Sequence, residues 1–371
     1  MIRALGLMSG TSLDGIDVAI IETDGEGAVR PGASMVVPYK PEERLLLRMA
    51  LEAAKSWEPD DPVPEEVVEA ERHLTLANAL AVRALLAEAG LRPADISVIG
   101  FHGQTVLHQP ERRRTVQIGL GDVLARLTGI DVVNDFRSAD VAAGGHGAPL
   151  VPLYHRALVG STGIVEPVAI INIGGVGNVT YVSPDGTLLA FDTGPGNALI
   201  DDWALEHTGE PIDRDGALAA GGDVDMEVLE GLMSHEFFDA PPPKSLDRFS
   251  FSPDAVSHLS PPDGAATLTA FTVESIARGL AHVPGIPSRF VICGGGRHNP
   301  VLMAMLRRRL QGGVLPAEDL GWRGDDVEAE AFAYLAVRSL RGLPLSLPTT
   351  TGVPEPMPGG TLHRAGKTLE G

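Results

Sequence analysis

The stretch from Leu5 to Ile21 holds the residues best suited to chemistry. One apolar run ends at Met8 and another resumes at Ile16; Ser9, Gly10, Thr11, Ser12, Leu13, Asp14 and Gly15 lie between them. The pattern predicts strand, tight turn and strand. Glycine lets backbone N–H groups come close to an anion, because no Cβ stands in the way. Thr11 and Ser12 add hydroxyl donors. Asp14 and Asp17 supply carboxylates for a cation, directly or through water. The turn therefore suits a phosphate and magnesium. Taken alone, the segment is explained equally well as a Gly-rich hairpin with a solvated tip.

Two further glycine clusters follow. Val168 to Ile173 reads as a strand that enters Gly174-Gly175-Val176-Gly177-Asn178 and leaves as Val179 to Val182. Cys293-Gly294-Gly295-Gly296 comes after a strand over 290–293 and before a helix. There Asn299 has the place of an N-cap, with Pro300 at N1. Bare backbone at Gly294 and Gly295 leaves room for a flat base. A P-loop is not expected: Gly366-Lys367-Thr368 has its last part, but Thr361 stands where the first glycine must be. A Rossmann fingerprint is not expected either, since Gly6 to Gly15 lacks its spacing and leads into a strand, not a helix.

The elements that must position these clusters alternate between helix and strand. Helices are expected over 42–56, 65–90, 122–127, 197–207, 265–283 and 299–310, and strands over 96–101, 130–133 and 290–293. Asp325 and Glu328 have the spacing of a capping box for a last helix ending near Arg341-Gly342. This is an α/β architecture. Lobe I is expected at 1–145, with a segment from about 335 to 371 packing back on it. Lobe II is expected at 146–334.

Composition narrows the field. A chain of 371 residues with 44% hydrophobic content can fill two cores. With 49 acids against 29 bases the net charge is −20, so nucleic acid is not an expected partner. Cys293 is the only cysteine, which fits a reducing cytoplasm; its apolar neighbours make it a buried strand residue rather than a nucleophile. No apolar run reaches the length of a membrane span, and the N-terminal stretch makes a poor signal peptide. His102, His108, His146 and His155 match no common zinc spacing.

Three glycine clusters in this order resemble the two-lobed actin and hexokinase superfamily, in which a central cleft takes nucleotide and substrate. The resemblance to anhydro-N-acetylmuramic acid kinases is closer. It rests on Met8-Ser9-Gly10-Thr11-Ser12-Leu13-Asp14-Gly15-Ile16-Asp17, on Phe101-His102-Gly103-Gln104-Thr105, and on Asp135-Phe136-Arg137. Further along, Phe191-Asp192-Thr193-Gly194-Pro195-Gly196-Asn197, the Cys293 cluster with Asn299, and Glu328-Ala329 with Ala331-Phe332-Ala333 continue it. There are departures. His146 stands where glutamine is expected, Gly177 where alanine is expected, and Thr349-Thr350-Thr351 varies a C-terminal segment.

The resemblance implies an ATP- and Mg²⁺-dependent enzyme that opens the 1,6-anhydro bridge of a small amino sugar and phosphorylates the freed O6. The product is N-acetylmuramic acid 6-phosphate, for reuse of cell-wall fragments. A carboxylate must activate water at the anomeric carbon, and O6 must lie in line with the γ-phosphorus. Asp192 has the catalytic role; Gly10 to Asp17, Gly175, Gly294, Gly295 and Asn299 hold nucleotide; Asp14 and Asp17 hold metal. His102, Arg137 and Glu328 face the sugar, with Arg137 suited to its lactyl carboxylate. Each has a plainer explanation: Asp192 as a turn residue, Glu328 as a helix cap, Arg137 in an ion pair with Asp135 or Asp140. A conventional sugar or carboxylate kinase and a nucleotide-gated assembly protein of the same fold are the competing functions, and a homodimer remains open.

Overall fold

A computed structural model describes residues 1–10, 12–246 and 250–366. Thr11, and Lys367 and Thr368 of the rejected P-loop match, lie outside the described residues. The chain divides into two compact units, 1–161 with 326–371, and 162–325. The division thus falls later than 145 and earlier than 334. Residues 326–334 go with the first unit because the helix Val327–Leu340 packs on that unit's sheet.

In the first unit, β1 (Ile2–Met8), β2 (Gly15–Thr23) and β3 (Val29–Pro38) form an antiparallel meander. β4 (Val98–Phe101) lies parallel to β1. A separate pair, β5 (Gln104–Gln109) and β6 (Arg114–Ile118), precedes β7 (Val132–Asn134), which is parallel to β4. In the second unit, β8 (Val168–Ile173), β9 (Val176–Val182) and β10 (Leu188–Pro195) form another meander. β11 (Arg289–Cys293) is parallel to β8, and β12 (Gly313–Pro316) is parallel to β11. β13 (Thr361–His363) returns to the edge of the first sheet beside β7.

The two sheets therefore repeat one strand order, meander then two parallel strands. Val, Ile, Leu and Ala fill both cores, with Leu5, Leu7, Ile99 and Phe101 buried in one and Ile171, Phe191, Phe271 and Ile292 in the other. Cys293 is buried at the end of β11, and burial pushes its thiol up to about 12, which agrees with an inert strand residue.

Helix ends show where local rules hold. Asn299 caps the helix Pro300–Arg309 as expected, accepting from the N–H groups of Val301 and Leu302 at 3.0 and 3.1 Å. The helix expected at 265–283 runs instead over Pro261–Gly279, because Ser260 caps it four residues earlier. It is buried on nearly all sides from Gly264 to Ile276. Among the described residues, no helix is long and apolar enough to cross a membrane.

Candidate functional site

The first glycine turn joins β1 to β2, with Met8 opposite Asp17. Ser9 is buried. Its hydroxyl donates to Gln104 Oε1 at 2.6 Å and accepts from the Tyr39 hydroxyl at 2.8 Å, so it holds the turn from beneath. Leu13 has φ of 57°, buries its side chain, and donates its N–H to the Gly10 carbonyl at 3.2 Å. Ile16 is in the core, and Gly15 lies so close to Val37 that no side chain fits there. Any ligand contact at Leu13, Gly15 or Ile16 is therefore a backbone contact. Ser12 and Asp14 are exposed and Asp17 is half-buried. The Asp14 carboxylate has one cation near it, Arg44, at 3.5 Å.

Asp192 belongs to β10, the edge strand of the second sheet. A bulge between Asp192 and Gly194 shifts the register with β9. Bulges at sheet edges re-aim side chains. The segment 244–246 runs beside the bulge: Asp192 N–H donates to the Lys244 carbonyl at 3.0 Å, and the Leu246 N–H donates to Asp192 Oδ2 at 2.8 Å. Asp192 is thus not a turn residue satisfying its own neighbours. Oδ1 makes no hydrogen bond among the described residues. Burial pushes the carboxyl up to about 7, against the lowering effect of the Leu246 N–H. A base with that pKa is half ionised near neutrality, where general-base catalysis is most effective.

The other two glycine clusters meet in the same unit. Carbonyls of Gly174 and Gly175 accept N–H groups from Gly196, Asn197 and Ala198, so the second turn is docked on the start of the helix Ala198–Thr208. Asn197 does not cap that helix through its side chain. Its Nδ2 instead donates to the Ile173 carbonyl at 3.1 Å, and it sits against Gly295 and Gly296. Gly175 and Gly295 are both exposed, and an added Cβ would make only ordinary van der Waals contact, with Ala198 at 3.8 Å and with Asn197 at 3.5 Å. Gly294 has φ of 73° and is held from behind by Arg297, which donates to its carbonyl at 2.9 Å. Arg297 in turn is fixed by Asp325 and Glu318. Neither Arg297 nor Asn197 was singled out from the sequence as a support of this cluster. At Gly177 an alanine Cβ would come to 3.0 Å from Thr193 Oγ1, a buried hydroxyl without a partner among the described residues.

His102, Arg137 and Glu328 come together in the first unit. His102 follows β4 and is buried, its ring tilted by 43° against that of Phe332 with centroids 4.6 Å apart. Arg137 lies over the same ring. Its Nε and one terminal nitrogen lie 3.2 and 3.0 Å from His102 Nε2, and the other donates to the Gly147 carbonyl at 2.7 Å. Arg137 makes no ion pair with Asp135 or Asp140 among the described residues. Asp140 is occupied by the Gly147 N–H and the hydroxyls of Ser346 and Thr351. Burial lowers the Arg137 guanidinium to about 10, and the charges of Glu328 and Asp140 oppose this.

Glu328 is not a capping residue. The helix starts at Val327, and Asp325 is paired with Arg297 instead of capping it. Glu328 reaches solvent, yet protein crowds it. The crowding raises its carboxyl pKa more than Arg137 lowers it. His146 is half-buried and donates its N–H to the Thr351 carbonyl at 2.7 Å.

A near-neutral carboxylate in the second unit, glycine turns in both, and an arginine with unused donors in the first are groups that a group-transfer enzyme can use. The chain belongs to the anhydro-N-acetylmuramic acid kinase family, whose model matches residues 2–364. It is 54% identical to the anhydro-N-acetylmuramic acid kinase of Rhizorhabdus wittichii over 97% of this chain and 98% of that one. It is 54% identical to the protein of that name from Paramagnetospirillum magneticum, over 97% and 99%. Similar solved structures include the activator of the 2-hydroxyisocaproyl-CoA dehydratase from Clostridium difficile with bound ADPNP. That chain has 13% identity, a TM-score of 0.47, and coverage of 92% of this chain and 96% of its own.

Proposed function

We propose that the protein hydrolyses the 1,6-anhydro bridge of anhydro-N-acetylmuramic acid and phosphorylates O6 with ATP, giving N-acetylmuramic acid 6-phosphate for cell-wall recycling in the cytoplasm. The observation that carries this reading is Asp192, a carboxylate whose Oδ1 makes no hydrogen bond among the described residues and whose pKa is raised to about 7. Water attacks the anomeric carbon and loses its proton to Oδ1. The bond from that carbon to O6 breaks, and O6 is freed for phosphorylation. Arg137 binds the lactyl carboxylate, and Glu328 accepts from a sugar hydroxyl.

The residues present fit the nucleotide and the metal. Gly175 and Gly295 leave a bare surface that a Cβ would fill. Among the described residues there is no group of three or more metal-ligating side chains. Magnesium bound to phosphates needs only one or two carboxylates and otherwise keeps water, and Asp14 and Asp17 meet that need. ATP supplies the transferred phosphoryl group, and Mg²⁺ offsets its charge. Gly10, Ser12 and the backbone of the first turn would hold the phosphates. Gly294, Gly295 and the Asn299 cap would lie at the base.

Product analysis tests the function: ATP and the anhydro-sugar should yield a sugar 6-phosphate and ADP. ATP consumed with no new sugar phosphate would favour an assembly ATPase. The metal has its own test. No lysine lies in the three glycine clusters to carry phosphate charge. Turnover should therefore cease in excess chelator. Asp14→Asn should raise the Mg²⁺ concentration for half-maximal rate by about tenfold, roughly one lost charge contact. Full activity in chelator would remove the metal from the scheme.

A further inference from the structure

We propose that His102 is a positioning residue: it fixes the Arg137 guanidinium without neutralising it, and so confers selectivity for a substrate that carries a carboxylate. The proposal rests on the reading that Arg137 receives the lactyl group.

The argument begins with Gly103. Its φ is 73°, and a side chain there would collide with the Ile118 carbonyl. This conformation brings the Gly103 carbonyl to 2.8 Å from His102 Nδ1. A carbonyl can only accept, so Nδ1 carries the proton. His102 is thereby set in one tautomer, and Nε2 presents a lone pair. Arg137 donates to that lone pair from Nε and from one terminal nitrogen. A protonated imidazole could not accept there.

The choice of imidazole has a consequence for charge. Surface arginines of this chain pair with carboxylates, as Arg112 does with Glu58 and Arg309 with Glu274. A carboxylate partner orients a guanidinium but cancels its field. Neutral His102 orients it with no carboxylate hydrogen-bonded to it among the described residues, and Glu328 and Asp140 act on it only as nearby charges. Of the five N–H donors of Arg137, two go to His102 and one to Gly147. Among the described residues, one N–H remains without an acceptor on each terminal nitrogen, which suits the two oxygens of a carboxylate. Phe332 packs against the His102 ring and lies under the Arg137 guanidinium, and it blocks that side.

The first test uses the acid substrate and its lactyl methylamide, which keeps the shape and loses the charge. His102→Leu removes the acceptor and should raise KM for the acid by about 10- to 100-fold, the size of a misplaced binding group, with kcat little changed. On the amide, which offers Arg137 no charge, the loss should be at least about tenfold smaller than on the acid. His102→Gln restores an acceptor near Nε2 and should recover most of the preference for the acid. Equal losses on both substrates, or a His102→Leu enzyme that still prefers the acid, would overturn the proposal. A parent enzyme inactive on both substrates would instead remove the proposed function.

A second test needs no active variant. In parent protein labelled with ¹⁵N at histidine, the His102 resonances, assigned by their loss in His102→Gln, should show a protonated Nδ1 and an unprotonated Nε2. A proton on Nε2 would end the proposal whatever the kinetics.

Discussion

Asp192→Asn is expected to lower turnover by about 100-fold or more, the low end for loss of a general base, with sugar and ATP affinity nearly unchanged. Asparagine keeps the size of the side chain and can still accept the Leu246 N–H that now reaches Oδ2 at 2.8 Å. What it lacks is the basic charge. The parent should also lose rate as pH falls below about 7, by about tenfold per unit, because the protonated carboxyl cannot accept from water. The variant should not show that limb. Steady-state rates from pH 5 to 9 on both proteins make the measurement. An Asn enzyme with near-normal turnover would end the mechanism and leave Glu328 as the carboxylate to substitute next in search of the base.

The same substitution should stabilise the fold. Asp192 has a native pKa of about 7 against an ordinary value of 3.8. Ionising it therefore costs more in the native state than in the unfolded one. This cost is absent below pH 4, grows from pH 4 to 7, and is constant above 7. Asp192→Asn should melt above the parent at pH 8, and the gap should close as pH falls to 4. A residue kept at the expense of stability is expected where function needs it.

What the sequence revealed, and what it did not, divides by distance along the chain. The glycine turns at 9–15, 174–175 and 294–296, the Asn299 cap and the buried Cys293 follow local rules of backbone and side chain. The contacts that give the site its chemistry are not local. Asp192 owes its placement to a bulge and to residues 244–246, which hold its N–H and its Oδ2, and nothing in Phe-Asp-Thr-Gly marks that strand as continuing to Pro195. His102 and Arg137 are 35 residues apart, and their hydrogen bond fixes a tautomer that spacing cannot predict. Glu328 shows a local rule overridden. Asp325 and Glu328 have capping-box spacing, but Arg297 takes Asp325 with two hydrogen bonds, and the helix starts later. The helix Pro261–Gly279 reads as amphipathic from its pattern, yet it is covered on nearly every side, which periodicity cannot foresee.

Gly6→Ala and Gly100→Ala should each destabilise the first unit by about 3 kcal/mol or more, at the upper end of overpacking costs. Gly6 in β1 and Gly100 in β4 are paired in parallel register, so their missing side chains open one bare strip across the sheet. The helix Val327–Leu340 lies in that strip. A Cβ on Gly6 would run into the Ala329 carbonyl and the Ala333 nitrogen, and one on Gly100 into the Phe332 carbonyl. The obstacles are helix backbone, which cannot rotate aside, and Ala329 and Ala333 are too small to yield volume. The helix would have to lift from the sheet, moving Glu328 and the Phe332 ring beneath His102 and Arg137. Denaturant unfolding should show the loss in both variants, and any folded fraction should bind sugar poorly. Gly160→Ala is the control. It lies exposed in the helix Pro152–Ser161 with no atom within 4 Å of its added Cβ, and it should stabilise by about 0.5–1 kcal/mol through helix propensity alone. If Gly6→Ala and Gly160→Ala proved equally stable, close backbone contact would not be what seats Glu328.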